Sequence, residues 1–290
     1  MRYKVDNAII MAAGTSSRFA PLSYEFPKAL ITVKDEVLIE RQIKQLQQAG
    51  VKDIYIVVGY KAEMFEYLVE KFGVTLLNNS DYLERNNNAS IYAAREVIKN
   101  TYICSADNYF SKNPFNSEEK ESYYSAVYAH GPTKEWCIRY DSENRINNVV
   151  IGGENEWFML GHAFWDEIFS KRFLSILEDE YNLETTRNLL WEHIYINHIE
   201  EFDMKIKKYA DDIIFEFDTL DELRVYDESY VYETRSEILK SIACELNCEE
   251  KDIKNVIAFK GENNAADGFE FTVDDVAYSY SYSDRVIRNL

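Results

Sequence analysis

The chain has 290 residues, 46% of them hydrophobic, with 51 acidic against 32 basic side chains and a net charge of −19. That balance argues against a nucleic-acid partner, whose phosphates demand a surplus of Lys and Arg. It leaves room for a small anionic substrate, which a few basic groups in a cleft can hold.

Asn7–Met11 is a short apolar run entering Ala12, Ala13 and Gly14, which predicts a buried strand leading into a loop. The run is too short for a membrane span and lacks a signal-peptide cleavage pattern, so a cytoplasmic chain with no membrane partner is expected. Val37–Ala49 carries Val37, Ile39, Ile43 and Leu46 at helical spacing, with Gly50 where a C′ glycine belongs. Asp53–Val58 reads as a strand, Ala62–Phe72 as a helix ending at Gly73, Val74–Leu77 as a strand, Ser90–Val97 as a helix and Tyr102–Ala106 as a strand. This alternation implies a mostly parallel sheet covered by helices, with ligands bound beyond the carboxyl ends of its strands.

After Asp107 the pattern changes. Tyr123–Ala129, Trp136–Tyr140, Ile146–Ile151 and Glu156–Phe164 read as strands between polar turns. Helices are expected at Asp166–Glu180 and Arg187–Ile196, strands at Met204–Lys208 and Ile213–Phe217, and a helix at Leu220–Tyr230. A boundary falls near Tyr232, dividing the chain into 1–232 and a small α+β module at 233–290. There Thr234 and Glu237 have the spacing of a capping box, opening a helix that runs to Leu246. Val256–Phe259, Gly268–Val273 and Ala277–Tyr282 are expected to form a small antiparallel sheet. Cys104, Cys137, Cys244 and Cys248 form no C-x-x-C pair, so buried reduced thiols are expected rather than structural zinc.

Four groups of residues can carry chemistry. The first is Ala12-Ala13-Gly14-Thr15-Ser16-Ser17-Arg18, followed by Pro27-Lys28. Small residues let backbone N–H groups approach a phosphate chain, while Arg18 offers a fork and Lys28 a point charge. A plain surface loop would carry the same composition about as often. Asp107 is second: it follows an apolar strand, where a carboxylate can hold Mg²⁺ bridging nucleotide phosphates, and where turn Asp is also common. Third, Ile213-Ile-Phe-Glu216-Phe-Asp218 alternates, sending both carboxylates to one face, either as a polar outer face or as partners of Asp107 around a cation. Fourth, Asn86-Asn87-Asn88-Ala-Ser90 is a polar turn before a helix, capped by Asn88 in the simplest reading.

The first stretch resembles the signature of the nucleotidyltransferase superfamily, A-A-G-x-G-[ST]-R followed at a distance by P-K. It is most similar to that of the bacterial CTP:phosphocholine cytidylyltransferases, over about the first 230 residues. The resemblance implies an α/β, Rossmann-like nucleotidyltransferase fold with a mixed, mostly parallel sheet. It implies CTP and a small phosphorylated cationic substrate as partners, and Mg²⁺ as cofactor. Lys28, Arg18 and Asp107 become catalytic candidates, and Asp107, Asp218 and Glu216 metal ligands. Ala12 to Ser17, Asn87 and Ser90 become nucleotide contacts, the carboxamide and hydroxyl lying against the base. Glu135-Trp136 matches an E-W pair of the choline enzymes, so aromatic faces and carboxylates would hold a quaternary ammonium, with Trp191, Tyr109 and Glu216 as further substrate contacts. The sequence departs from the pattern twice. Ser16 replaces the second glycine, which keeps the turn if its φ is negative, and Leu190 stands where relatives often show an aromatic.

Two other readings compete: the same chemistry on 2-aminoethylphosphonate or a sugar 1-phosphate, and a nucleotide-binding regulatory protein without turnover. The tail, with Cys248-Glu-Glu-Lys-Asp-Ile-Lys254, Phe259-Lys-Gly261 and Gly268-Phe-Glu-Phe271, loosely resembles the start of a choline kinase N-lobe. Where that lobe needs a basic residue the chain reads Tyr278-Ser-Tyr-Ser-Tyr282, which favours a packing module.

Overall fold

The computed structural model describes residues 2–260 and 266–290. It divides into two compact units, Met1–Gly14 with Leu38–Glu216, and Thr15–Val37 with Phe217–Leu290. The cut at 232/233 follows the reach of sequence motifs and stands as a proposal about modules. The division by packing is discontinuous, because Thr15–Val37 shares its contacts with the C-terminal region.

In the first unit, Asn7–Ala12 lies at the centre of a sheet, paired in parallel with Asp53–Val58 on one side and Thr101–Ser105 on the other. Thr75–Asn78 extends it in parallel beside Asp53–Val58. Ala8, Ile9 and Ile10 are fully buried, as expected of a strand covered on both faces. Helix Leu38–Gln48 buries Leu38, Ile39, Ile43 and Leu46. It ends as its glycine predicts: Gly50 sits at φ 90°, its N–H bonds to the Gln47 carbonyl and that of Val51 to the Leu46 carbonyl. The helix expected over 62–72 is instead a 3₁₀ turn, Ala62–Phe65, followed by helix Tyr67–Phe72.

Antiparallel pairing begins at Trp157–Trp165, which joins Thr101–Ser105 to Tyr123–Tyr128. A long hairpin, Pro132–Tyr140 with Ile146–Glu154, flanks it, and Lys205–Lys208 runs parallel to Tyr123–Tyr128, giving this sheet nine strands among the described residues. Helix Glu167–Glu180 is capped by Asp166, whose carboxylate accepts the N–H groups of Ile168 and Phe169, an arrangement worth about 1 kcal/mol. Trp165, Phe169, Phe173, Trp191, Tyr195 and Phe202 form one aromatic core. The four parallel strands end on a common edge at Ala12, Val58, Asn78 and Ser105. The residues just past the strand ends gather at that edge: Ala13-Gly14, Gly59, Asn79 and Asp107.

The second unit holds a short hairpin, Thr32–Val33 with Glu36–Val37, and helices Leu220–Tyr226, Ser229–Tyr232 and Glu237–Leu246. Asp227 separates the first two, so the single helix expected at 220–230 is interrupted. Ser236, not Thr234, caps the last: its hydroxyl accepts the Leu239 N–H at 3.1 Å. Arg235 lies in left-handed backbone at φ 61°, so the chain enters the helix only after it, and Thr234 donates its hydroxyl to Glu250. Strands Lys254–Lys260, Ala266–Val273, Val276–Ser281 and Ile287–Asn289 form an antiparallel sheet that buries Phe269, Phe271 and Tyr280. Gly261 of the tail motif lies outside the described residues. Among the described residues no helix is long and apolar enough to cross a membrane.

Candidate active site

The signature segment spans the division between the units: Ala12, Ala13 and Gly14 belong to the first, Thr15 onward to the second. At Gly14 an added Cβ would meet nothing within 4 Å, which leaves that backbone open to a ligand. Ser16 does not meet the condition of a negative φ. It sits at φ 48°, ψ 43°, preceding the 3₁₀ turn Ser17–Phe19, so serine holds a left-handed conformation that a glycine would adopt without strain. Left-handed backbone costs an L-residue about 1–2 kcal/mol, of which glycine's looser unfolded chain offsets part. Ser16→Gly is therefore expected to stabilise the chain by roughly 0.5–1 kcal/mol in urea unfolding. A lowered midpoint would mean that the serine side chain contributes more than the strain removes.

Downstream, Pro27 precedes the 3₁₀ turn Lys28–Leu30. Lys28 is only 5% exposed, with its ammonium 5.7 Å from the centre of the Phe19 ring. A buried ammonium needs counter-charge, and Asp218 Oδ1 lies 3.6 Å away. The other oxygen of Asp218 receives Arg18 Nη1 at 2.8 Å. Arg18 is 73% exposed, so solvent screens its share of the pairing. Asp218, expected as a metal ligand beside Glu216 on one strand face, thus holds two cations in place. The strand is shorter than its alternation suggested: Ile214–Glu216 ends before Asp218, and Thr219 already caps the next helix.

In the first unit, Asp107 occupies the turn between Thr101–Ser105 and Asn108–Phe110. Glu216 stands opposite Asn108 across a short antiparallel pair and accepts its Nδ2 at 3.3 Å. Tyr124 is buried in the core and interacts with three acids. Burial pushes its phenol well above the usual range, and the charges of Glu192, Glu216 and Asp107 add to that. Glu192 is the residue that sequence reasoning missed. It is buried, accepts Tyr124 Oη and Asn87 Nδ2 at 3.2 Å each, and burial pushes its carboxyl up to about 7. Its signal was available: an acid next to Trp191 in a predicted helix whose other inner residues are apolar.

Asn87 does not present its whole carboxamide outward. Its Oδ1 accepts the Trp191 N–H at 2.7 Å while its Nδ2 holds Glu192. Asn88, expected as the cap, lies inside helix Asn88–Ala94 and donates to the carbonyls of Thr186 and Leu189. Ser90 is buried and accepts Asn79 Nδ2 at 3.3 Å. The Asn-rich turn therefore ties three elements of the first unit together.

The residues expected to form an aromatic cage lie in differing surroundings. Trp136 is half-buried and edge-on to His193, ring centres 4.6 Å apart. Glu135 is exposed beside it, where the hairpin register slips between Thr133 and Trp136. His193 Nδ1 accepts the Leu190 N–H at 3.0 Å, and burial holds its pKa below the usual value. Trp191 is corrected from the cage to the core: it is 1% exposed and stacks on Tyr124. Tyr109 is buried, and the Arg41 guanidinium already lies 4.7 Å from its ring centre.

Among the described residues, no group of three or more His, Cys, Asp and Glu forms a metal cage. Magnesium does not require one, since it binds through one or two carboxylates and the substrate's phosphates. Asp107 and Glu216 fit that requirement, both being hard oxygen donors. The neighbouring Asn108 Oδ1 is buried with no hydrogen-bond partner among the described residues.

Residues 8–116 match the MobA-like NTP transferase domain. The chain is 34% identical over 221 residues to the choline-phosphate cytidylyltransferase of Streptococcus pneumoniae, spanning 76% of this chain and 96% of that one. It is 38% identical over 234 residues to the 2-aminoethylphosphonate cytidylyltransferase of Lancefieldella rimae, spanning 79% and 95%. The solved CTP:phosphocholine cytidylyltransferase of Streptococcus pneumoniae matches with a TM-score of 0.75, covering 78% of this chain and 99% of that one at 34% identity.

Proposed function

We propose that this chain, which belongs to the choline-phosphate cytidylyltransferase family of nucleotidyltransferases, transfers cytidylate from CTP to phosphocholine and releases pyrophosphate. The observation that carries the reading is the buried Lys28 ammonium, paired with Asp218 beside Arg18, at the end of a phosphate-binding signature.

The acceptor's phosphate oxygen attacks the α-phosphorus of CTP in line. A P–O bond forms as the bond to the bridging oxygen of the β-phosphate breaks, and pyrophosphate leaves with the electron pair. No general base is needed, since a phosphate monoester is largely ionised near neutral pH. Catalysis of such transfers is mostly positioning and neutralisation of charge. Lys28 offsets charge on the α-phosphate and the attacking phosphate. Arg18 and the amides of Thr15, Ser16 and Ser17 hold the β- and γ-phosphates, and Asp218 keeps the two cations in place. Asp107 and Glu216 would hold a divalent cation such as magnesium, which would supply further neutralisation of nucleotide charge. Asn87 and Ser90 shape the base side, and Trp136 with Glu135 receives the cationic head group.

A second acceptor has specific support. The Lancefieldella rimae relative acts on 2-aminoethylphosphonate by name, and Leu190 withdraws one aromatic face from a quaternary ammonium. A primary amine depends on carboxylates more than on rings. Pyrophosphate release across CTP, UTP, ATP and GTP, each with phosphocholine, 2-aminoethylphosphonate and a sugar 1-phosphate, tests the choice. The highest kcat/KM is expected for CTP with phosphocholine. A preference for the aminophosphonate replaces the acceptor, and turnover with none of the acceptors refutes the enzymatic reading.

A further inference from the structure

We propose that the region from Phe217 onward positions the segment Thr15–Val37, which carries Arg18 and Lys28, for phosphate binding, with Tyr24 and Glu25 as its points of attachment. The inference rests on the reading of Arg18 and Lys28 as phosphate ligands.

The attachments lie between the two basic residues in sequence. Glu25 Oε1 accepts the N–H groups of Glu237 and Ile238 at 2.8 and 3.3 Å. These are first-turn donors of helix Glu237–Leu246 that have no partner within the helix, while Ser236 takes the N–H of Leu239. A carboxylate there is also favoured by the helix dipole. Next to it, the Tyr24 ring stacks on that of Tyr282 with centres 3.8 Å apart and planes within 9°. Further along, Tyr230 donates its hydroxyl to the Thr32 carbonyl at 2.6 Å, and Asp227 accepts the Lys34 N–H at 2.8 Å. Strand Lys254–Lys260 runs beside the turn Ser17–Phe19.

The segment itself has little regular structure to hold it. It consists of two 3₁₀ turns, the one-turn helix Leu22–Glu25 and a hairpin of two-residue strands, with a left-handed Ser16. A buried ammonium acting on a reacting phosphate must be fixed closely, since misplacement by about 1 Å can lower rate on the order of 10²-fold. The Streptococcus pneumoniae enzyme is matched over 99% of its length by 78% of this chain. The rest of this chain, beyond what that enzyme matches, is thus available to support the segment. That gives the module a role its weak kinase likeness does not.

The test compares Tyr24→Ala, Glu25→Ala, Tyr282→Ala and Tyr282→Phe in the full chain. Steady-state kinetics with CTP are measured well below the unfolding temperature, and amide hydrogen exchange is followed over residues 15–34. Tyr24 is 44% exposed, so its replacement leaves a folded protein even if the buried Tyr282 does not tolerate alanine. The alanine variants are expected to raise KM for CTP and lower kcat/KM by roughly 10- to 100-fold, with faster exchange in the segment. Tyr282→Phe, which keeps the stack, should restore both. Lower thermal stability with unchanged kcat/KM and unchanged exchange overturns the proposal. Faster exchange in the variants of a wild-type chain that does not turn over CTP would uphold the positioning while refuting the transfer reaction.

Discussion

Replacing Lys28 with methionine is expected to lower kcat/KM for CTP by on the order of 10²–10³-fold, with the protein still folded. The range is that of removing one preorganised charge or donor from a developing transition state, about 3–4 kcal/mol. Methionine keeps an unbranched stem near Phe19 and removes only the ammonium. The effect should be large because Lys28 is buried and water screens it little. Arg18→Ala offers the contrast. Its side chain is exposed, so its loss should raise KM for CTP more than it lowers kcat. Asp218 bonds to both, so Lys28→Met and Arg18→Ala should not combine additively. Steady-state pyrophosphate release by the two single variants and the double variant gives all three numbers. A Lys28→Met enzyme within a few-fold of wild type would remove Lys28 from the chemistry and leave Asp218–Lys28 as a structural pair.

Glu192→Gln is expected to change how stability depends on pH. Burial raises the folded carboxyl from 4.5 to about 7, although Asn87 and Tyr124 partly oppose this by donating hydrogen bonds to it. Between those two values the folded chain keeps the proton that the unfolded chain releases. Stability linked to Glu192 is therefore full below about pH 4.5, falls as pH rises, and is lost above about pH 7. The amount is on the order of 3 kcal/mol. Glutamine carries no charge, so the variant should gain on wild type by about that amount between pH 5 and pH 8. Urea midpoints of both proteins across this interval measure the difference. Parallel curves would show that Glu192 is already ionised in the folded chain at pH 5. The network also faces Asp107 and Glu216 through Tyr124, so a cation at those carboxylates should lower the carboxyl's affinity for its proton.

Much of the first unit was legible because its signals are local. Gly50 and Gly73 end their helices with positive φ, Asp166 caps the next, and Asp53–Val58 is a strand over the residues its apolar run predicts. The errors arose where two local solutions compete. Thr234 and Ser236 are both good caps, and only the left-handed Arg235 selects between them. Alternation through Phe217 suggested a strand carrying both Glu216 and Asp218, whereas Thr219 starts a capped helix at once. Trp191 looked like a ligand-facing aromatic because composition does not tell which side of a helix meets the core. Its contacts with Tyr124 and Trp165 decide that.

Sequence by itself determined the alternation of strand and helix, and with it a parallel edge where Gly14 and Asp107 emerge together. Those features depend on periodicity and on chain direction, which a sequence carries explicitly. Tertiary structure alone decided that Lys28 and Arg18 share Asp218, that Asn87 holds Glu192, and that Tyr24 stacks on Tyr282. Each joins side chains far apart in the chain, and such partners are selected by burial and by the need to satisfy desolvated charge, conditions that exist only after the chain has packed.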